Sequence, residues 1–340
     1  MMDRTKAKTL AIAFVTTLIA GCTQPRSAPD PVPLAAPLRI ERLDQDLFHS
    51  TGDTTGTLSL KLYAQYGEFY RIYVEQILQG APVEDPRLPI VLASFTNDPD
   101  WSSAQQAVDS TLGDMEPQRL QFEAAFGRLK ALFPDSLTPR IVAFNSGFNY
   151  GIVPTDSVLG IGVEWFIGKD QSVIQYLAPE NFPQYVKDRM QPAMLVPSAV
   201  KGWLMVHYTR DIRGADLLTN LVETGKVMVL LDAMLPDTDP ALKLAFSPEQ
   251  LKWCEANAFP MWKELLDKKM LYSRKNDDIA RIMNDAPFTN GFPRESPGHI
   301  GEWIGLQMVR SYLDANPDVT LPQLFAMSDP APILKAYKPR

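Results

Sequence analysis

The chain has 340 residues, 45% of them hydrophobic, and 33 lysines and arginines against 40 aspartates and glutamates give a formal net charge of -7. This is the composition of an ordinary globular protein, and its charges are spread without runs, which argues against a nucleic-acid surface or a polybasic lipid-binding patch. Only two cysteines and three histidines are present; if the first cysteine is modified no internal disulfide can form, and no histidine lies in a spacing that binds metal by itself.

The amino terminus reads as a secretory segment. Arg4, Lys6 and Lys8 precede an apolar stretch from Leu10 to Ala20, and the run Ile19-Ala20-Gly21-Cys22 is the pattern cut by a lipoprotein signal peptidase. The stretch is too short for a spanning helix, which needs roughly 20 residues. Residues 1–21 are therefore expected to be removed, with Cys22 acylated; each buried methylene contributes about 0.8 kcal/mol, so such an anchor is effectively permanent. Thr23 follows Cys22 in place of the aspartate that signals inner-membrane retention, so the expected location is the outer membrane, facing the periplasm.

Pro25, Pro29, Pro31, Pro33 and Pro37 then favour an extended tether over residues 22–38. At about 3 Å per residue, roughly fifteen residues would hold the following domain on the order of 45 Å from the bilayer at most. Residues 39–340 are expected to form one globular domain, with no repeat and no second proline-rich linker.

Within it, 39–48 reads as a strand running into a short turn. Leu62, Tyr66, Phe69, Tyr73 and Ile77 recur at helical spacing, predicting one helix over 58–78 stopped by Gly80. A second helix is predicted over 117–133, with Leu120, Phe122, Phe126, Leu129 and Phe133 as its stripe and Pro134 ending it. The period then changes: 140–144 and 157–166 are the main β candidates, separated by turn chemistry at 145–150. Helical patterns return at 171–177, 182–190, 198–208, 215–235, 247–271 and 297–313. The expected fold is α+β, mostly helical with a small sheet.

His207 ends an apolar helix and is followed by Tyr208, Thr209, Arg210 and Asp211. A helical zinc protease needs His-Glu-x-x-His, which places two imidazoles on one face with a glutamate as base. Here Tyr208 stands for the glutamate and Asp211 for the second histidine. A ligand set of His207, Asp211 and Glu223 is the alternative to a histidine on the polar edge of a core helix, which is preferred. Glu223 and Lys226 stand three apart and are expected to pair. Gly225 in the same apolar helix suggests that another backbone passes close to it. Cys254, beside Trp253, is read as a packed small hydrophobe.

The most unusual stretch is 285–305. Ser296-Pro297 reads as a helix start, a capping hydroxyl with proline in the first turn. Gly298, Gly301 and Gly305 then line one side, and three helical glycines forfeit roughly 2 to 3 kcal/mol, so either another helix or a ligand must fill that groove. Helix packing is preferred. Arg294, Glu295, His299 and Glu302 flank the groove and are the candidates for contact with a partner; no catalytic set and no cofactor are expected.

The stretch 285–312, the run Leu-Leu-Asp-Ala-Met-Leu-Pro at 230–236, the run Leu-Gly-Ile-Gly-Val-Glu-Trp-Phe-Ile-Gly at 159–168 and the closing Tyr337-Lys-Pro resemble the gliding-motility lipoprotein GldB family of Bacteroidota. The resemblance implies an outer-membrane lipoprotein required for gliding that works with other gliding-motility components and, by association, the type IX secretion system, and it carries no biochemical mechanism. Together with the lipid anchor and the missing catalytic set, it makes non-catalytic binding or positioning of envelope proteins the leading expectation. A further likeness, to gluzincin-type metallopeptidases lacking His-Glu-x-x-His, implies a degenerate zincin-like scaffold. The rival function is accordingly a divergent zinc peptidase using His207.

Overall fold

The computed structural model describes residues 28–50 and 56–339. It is mostly helical around one small mixed sheet, as the periodicities predict. Strands β1 (Ile40–Arg42), β2 (Arg140–Phe144), β3 (Ile152–Pro154) and β4 (Val158–Gly162) lie in the order β1-β2-β4-β3. The first three in that order run parallel, with Ile141 opposite Leu159 and Val142 opposite Gly160, and β3 closes the edge antiparallel to β4.

Seventeen α-helices surround the sheet among the described residues. α1 (Leu43–Phe48), α2 (Thr57–Tyr66), α3 (Glu68–Ile72), α4 (Leu88–Asn97), α5 (Pro99–Leu112) and α6 (Glu116–Leu132) precede β2. α7 (Ser172–Tyr176), α8 (Gln184–Lys187), α9 (Leu195–His207), α10 (Leu217–Met234), α11 (Pro240–Leu244), α12 (Pro248–Ala256), α13 (Ala258–Asp267), α14 (Asn276–Met283), α15 (Ile300–Ala315), α16 (Leu321–Ala326) and α17 (Ala331–Ala336) follow β4.

Because successive strand side chains point to opposite faces, the sheet divides two cores. Ile141, Ala143, Leu159 and Ile161 face the larger one, with Phe122, Phe126 and Leu129 of α6 and the interior of α9, α10 and α15. Val142, Phe144 and Val158 face the smaller one, with Leu43, Leu62, Phe69, Tyr73, Leu88 and Leu92 from α1 to α4 and the turn after α3. Gly160 is part of this division: a β-carbon there would meet the Phe69 ring at 2.5 Å.

Several predicted elements differ from those observed. The helix expected over 58–78 breaks at Gly67 (φ 59, ψ -137), a conformation open to glycine, and its last turn, Tyr73–Ile77, is π-helical. The helix expected over 247–271 is two helices parted at Asn257, whose side-chain amide donates to the Trp253 carbonyl at 2.8 Å. The entry turn at 43–48 is α1, and α4 and α5 were not predicted. α5 nevertheless carries a clear start, with the Asp98 carboxylate accepting from the amides of Asp100 (2.9 Å) and Trp101 (3.3 Å) and Pro99 in the first turn.

Ser296-Pro297 does not open a helix. The Ser296 hydroxyl donates to the Pro293 carbonyl at 2.7 Å, and α15 begins only at Ile300, after His299 in the left-handed region (φ 39). The delay has a steric cause: Gly298 lies with its backbone against that of Ala286, where any β-carbon would overlap.

The proline-rich stretch is not all tether. Val32 donates its amide to the Gly127 carbonyl of α6 at 3.3 Å, and a β-carbon at Gly127 would stand 2.7 Å from the Val32 carbonyl oxygen and 3.0 Å from Pro31 Cβ. Leu34 packs on the larger core, Leu38 is buried in it, and Arg119 donates to the Leu38 carbonyl at 3.4 Å. Residues 31–38 thus form a strap laid along α6, because their apolar side chains find a groove there that glycine keeps open.

Candidate functional site

Parallel strands leave a sheet at one edge, and open sheets of this kind bind ligands outside the carboxyl ends of their strands. Here Asp44 follows β1, Asn145 and Ser146 follow β2, and Glu164 follows β4, and all four are buried. Asp44 accepts from Arg42 Nε (2.9 Å) and Nη2 (2.7 Å) and from Gln105 Nε2 of α5 (3.0 Å). Gln105 Oε1 accepts from Asn145 Nδ2 at 3.2 Å, and the Tyr73 hydroxyl donates to the Asn145 carbonyl at 2.8 Å.

Glu164 is fully buried. Its Oε1 accepts three donors, the Ser146 hydroxyl (2.6 Å), the Ser146 amide (2.8 Å) and the Phe148 amide (3.1 Å), while Oε2 has no partner. Burial pushes its carboxyl up to about 7, against the downward pull of these hydrogen bonds. The three donors converge because Gly147 and Phe148 both adopt φ 64. Such a backbone is costly for phenylalanine, and the Phe148 ring packs against Trp101 (6.2 Å), Trp165 (6.2 Å) and Phe182 (6.1 Å) in compensation.

Asp109 of α5 carries the network to the surface. Its Oδ1 accepts from Gln45 Nε2 (2.9 Å) and Gln105 Nε2 (3.3 Å), and its Oδ2 lies 2.8 Å from His49 Nε2. Burial raises the Asp109 carboxyl, but the hydrogen bonds from Gln45 and His49 outweigh it, and the net shift is below the ordinary range. The His49 side chain is 55% exposed and stands on the rim of a cleft of about 330 Å³ shaped by Leu47, Phe48, Leu58, Leu92 and Asn97. A second cleft of about 390 Å³, lined by Leu78, Ile90, Val91, Phe95 and Trp101, flanks the other side of α4. Ile90, 64% exposed, stands with Val91, 36% exposed, on an apolar ridge of α4 that borders this second cleft.

An imidazole oriented by a fixed carboxylate can exchange a proton with a bound group. Of the nearby hydroxyls, Ser50 Oγ donates to the Leu47 carbonyl at 2.7 Å, and Ser59, which is buried, accepts from the Tyr70 hydroxyl at 3.1 Å.

The residues singled out in 294–305 lie far from this edge in the chain, although Ile300, Trp303 and Ile304 of α15 share the larger core with Phe148 and Val163. Gly305 and Gly225 face each other so closely that a β-carbon on either would overlap the backbone opposite, Leu221 or Gly305, and one at Gly301 would overlap Met283. The groove is filled by the protein itself, by α10, by the end of α14 and by the segment after it. His299 is buried: its Nδ1 lies 3.1 Å from Asp285 Oδ1 and its Nε2 lies 2.9 Å from the Leu244 carbonyl. Asp285 also accepts two bonds of 2.8 Å from Arg189. Burial opposes ionisation of Asp285, yet its bonds from His299 and Arg189 hold it down to about 2. Glu302 pairs with Lys201 at 2.5 Å. Arg294 and Glu295 are exposed on the turn ahead of this cluster.

A family model for lipoproteins, described as gliding motility protein GldB, matches residues 24–339. The chain belongs to the GldB family. No match was found among curated proteins or solved structures. Membership thus covers nearly the whole chain, and it includes both the sheet edge and the α10–α15 pair. No helix among the described residues is long and apolar enough to cross a membrane. Cys22 lies outside the described residues.

The likeness of the GldB family to gluzincin peptidases gains no support from the geometry. His207 Nε2 meets the Thr155 carbonyl at 3.0 Å with its ring stacked on Trp203 at 3.7 Å. Asp211 is bound by Arg213, with Nε 2.9 Å from its Oδ1, and Glu223 is buried against Lys226 (2.8 Å) and Arg210 (3.1 Å). These three residues are not brought together, and no group of three or more His, Cys, Asp or Glu side chains among the described residues is placed to hold a metal ion. The expected Glu223–Lys226 pair is present, and Cys254 is fully buried, with burial pushing its thiol well up. Sequence reasoning passed over His49, Asp109, Gln105 and Glu164. One signal was available: an acid at 164 directly after an unbroken apolar strand.

Proposed function

We propose that the protein is an outer-membrane lipoprotein, acylated at Cys22 and facing the periplasm, that supports gliding motility by binding and positioning other envelope proteins of the motility and type IX secretion machinery, without catalysis of its own. The observation that carries this reading is the family match over residues 24–339, which begins two residues after the lipoprotein cysteine. The geometry supports it in two ways. The densest motif, 285–305, is spent on backbone packing, and the polar groups that flank it, Asp285, His299 and Glu302, pair with Arg189, the Leu244 carbonyl and Lys201. The exposed features of the N-terminal layer are those of a contact surface, the apolar pair Ile90 and Val91 on α4 bordering a cleft.

Co-purification under mild detergent from a gliding host tests this. Motility or secretion components are expected with the wild-type protein and reduced at least several-fold with Ile90→Glu, and deletion of the gene is expected to abolish spreading. Unimpaired spreading of the deletion strain, or recovery of no such component, overturns the proposal.

A further inference from the structure

The strap on α6 sets how the domain stands on the membrane. The geometry points to the α6 side as the face apposed to the lipid bilayer, with the α4 ridge turned away from it. This rests on acylation at Cys22 as proposed above.

The argument is one of reach. From Cys22 to residue 39, where the domain was expected to begin, is seventeen residues, and an extended chain of that length spans roughly 55 Å. A domain of some three hundred residues is roughly 50 Å across. A free tether of that length would let any face touch the bilayer. Docking removes this freedom, since Pro31 and Val32 are held against Gly127 and only nine residues remain from Cys22 to Pro31, reaching roughly 30 Å.

The anchor point and the α4 ridge lie on opposite sides of the sheet. Phe122, Phe126 and Leu129 of α6 share the core that takes Ile141 and Leu159, whereas Leu88 and Leu92 of α4 share the core that takes Val142 and Phe144. A reach shorter than the domain's width cannot carry α4 round to the lipid. The exposed apolar side chains beside the strap suit an interfacial setting: Val32 is 42% exposed, and Leu120, 54% exposed, lies two helical turns before Gly127 on the same face of α6. The full chain carries a net charge of -7, and removal of residues 1–21, with Asp3 against Arg4, Lys6 and Lys8, leaves the anchored chain more negative still. There is thus no electrostatic attraction to anionic lipid, and the covalent anchor and the strap set the orientation.

The test uses the full acylated chain in vesicles of phosphatidylethanolamine and phosphatidylglycerol carrying a headgroup nitroxide quencher, with a fluorophore at Leu120→Cys or at Ile90→Cys, two sites of similar exposure. Quenching at 120 is expected to exceed that at 90 by at least threefold. Inserting about twelve Gly/Ser residues between Asp30 and Pro31 should bring the ratio toward one. Gly127→Val, which drives a side chain into the Val32 backbone, should do the same, and the insertion keeps the question answerable if that variant folds poorly. Protein that floats with vesicles but quenches equally at both sites, or more at 90, overturns the orientation alone. Failure to float, matched by an unmodified Cys22 in the mass spectrum, overturns the anchor and the orientation with it.

Discussion

The α10–α15 pair and the α1–α4 layer are packed by opposite rules. In the first, Gly225 and Gly305 bring two helix backbones into contact, and Gly301 and Gly298 extend the tight seam to Met283 and Ala286. In the second, large rings fill the space between short helices, with Phe48 edge-on to Phe95 at 5.4 Å and Phe69 beside Phe144 at 6.0 Å, and two clefts are left around α4. The contrast teaches that a conspicuous motif can be entirely structural. A seam without side chains has no room for a ligand, while a layer built from bulky side chains on short helices leaves gaps in which one can bind.

Adding a methyl group to the seam is the most severe way to probe this difference. Gly305→Ala places a β-carbon inside the Leu221 carbonyl, and since backbone cannot swing aside, stability should fall by about 3 kcal/mol or more, read as a lower denaturant midpoint. Tolerance of this change would mean that the seam is no tighter than the N-terminal layer. Just below it stands the pH response of the sheet edge. The folded protein keeps the Glu164 proton up to about pH 7, whereas the unfolded chain releases it near 4.5. The folded state therefore binds more protons across that window and loses stability as pH rises through it, by about 3 kcal/mol in full above pH 7. Glu164→Gln should remove this dependence, so the wild-type minus variant difference in unfolding free energy should change between pH 4 and pH 8. A constant difference would show that Glu164 ionises without cost.

A smaller loss is expected from Lys226→Met in α10. Lys226 Nζ donates to Glu223 (2.8 Å) and to the Met327 carbonyl (2.6 Å) in the buried core. Removing it leaves Glu223 with Arg210 as its cation and should cost about 2 kcal/mol by calorimetry; an unchanged melting temperature would show that Arg210 suffices alone. The smallest effect belongs to the cleft rim. His49→Ala should change stability by less than about 1 kcal/mol, because the His49 side chain is more than half exposed and Asp109 keeps its bonds from Gln45 and Gln105. A loss of several kcal/mol would make this rim part of the core rather than a surface.

The long periodic elements were legible in the sequence because each repeats one local rule many times. α6, α9, α10 and β2 lie within a few residues of their predicted limits. Gly225 announced a close backbone approach, since glycine in an otherwise apolar helix is costly without one, and the Glu223–Lys226 pair follows from helical spacing alone. The lipoprotein pattern at Cys22 is likewise a property of contiguous residues, as are the runs that place the chain in the GldB family.

Tertiary structure decided what depends on residues distant in the chain. His49 and Asp109 are 60 positions apart, and Glu164 gathers its donors from a loop 16 to 18 residues earlier, so no window of sequence contains either arrangement. The false helix start at Ser296 and the strap at residues 31–38 have the same origin. In each, a local signal was overruled by a glycine that lets one backbone lie on another, Gly298 on Ala286 and Gly127 under Val32, and such contact is a property of the folded surface, not of the segment that carries it.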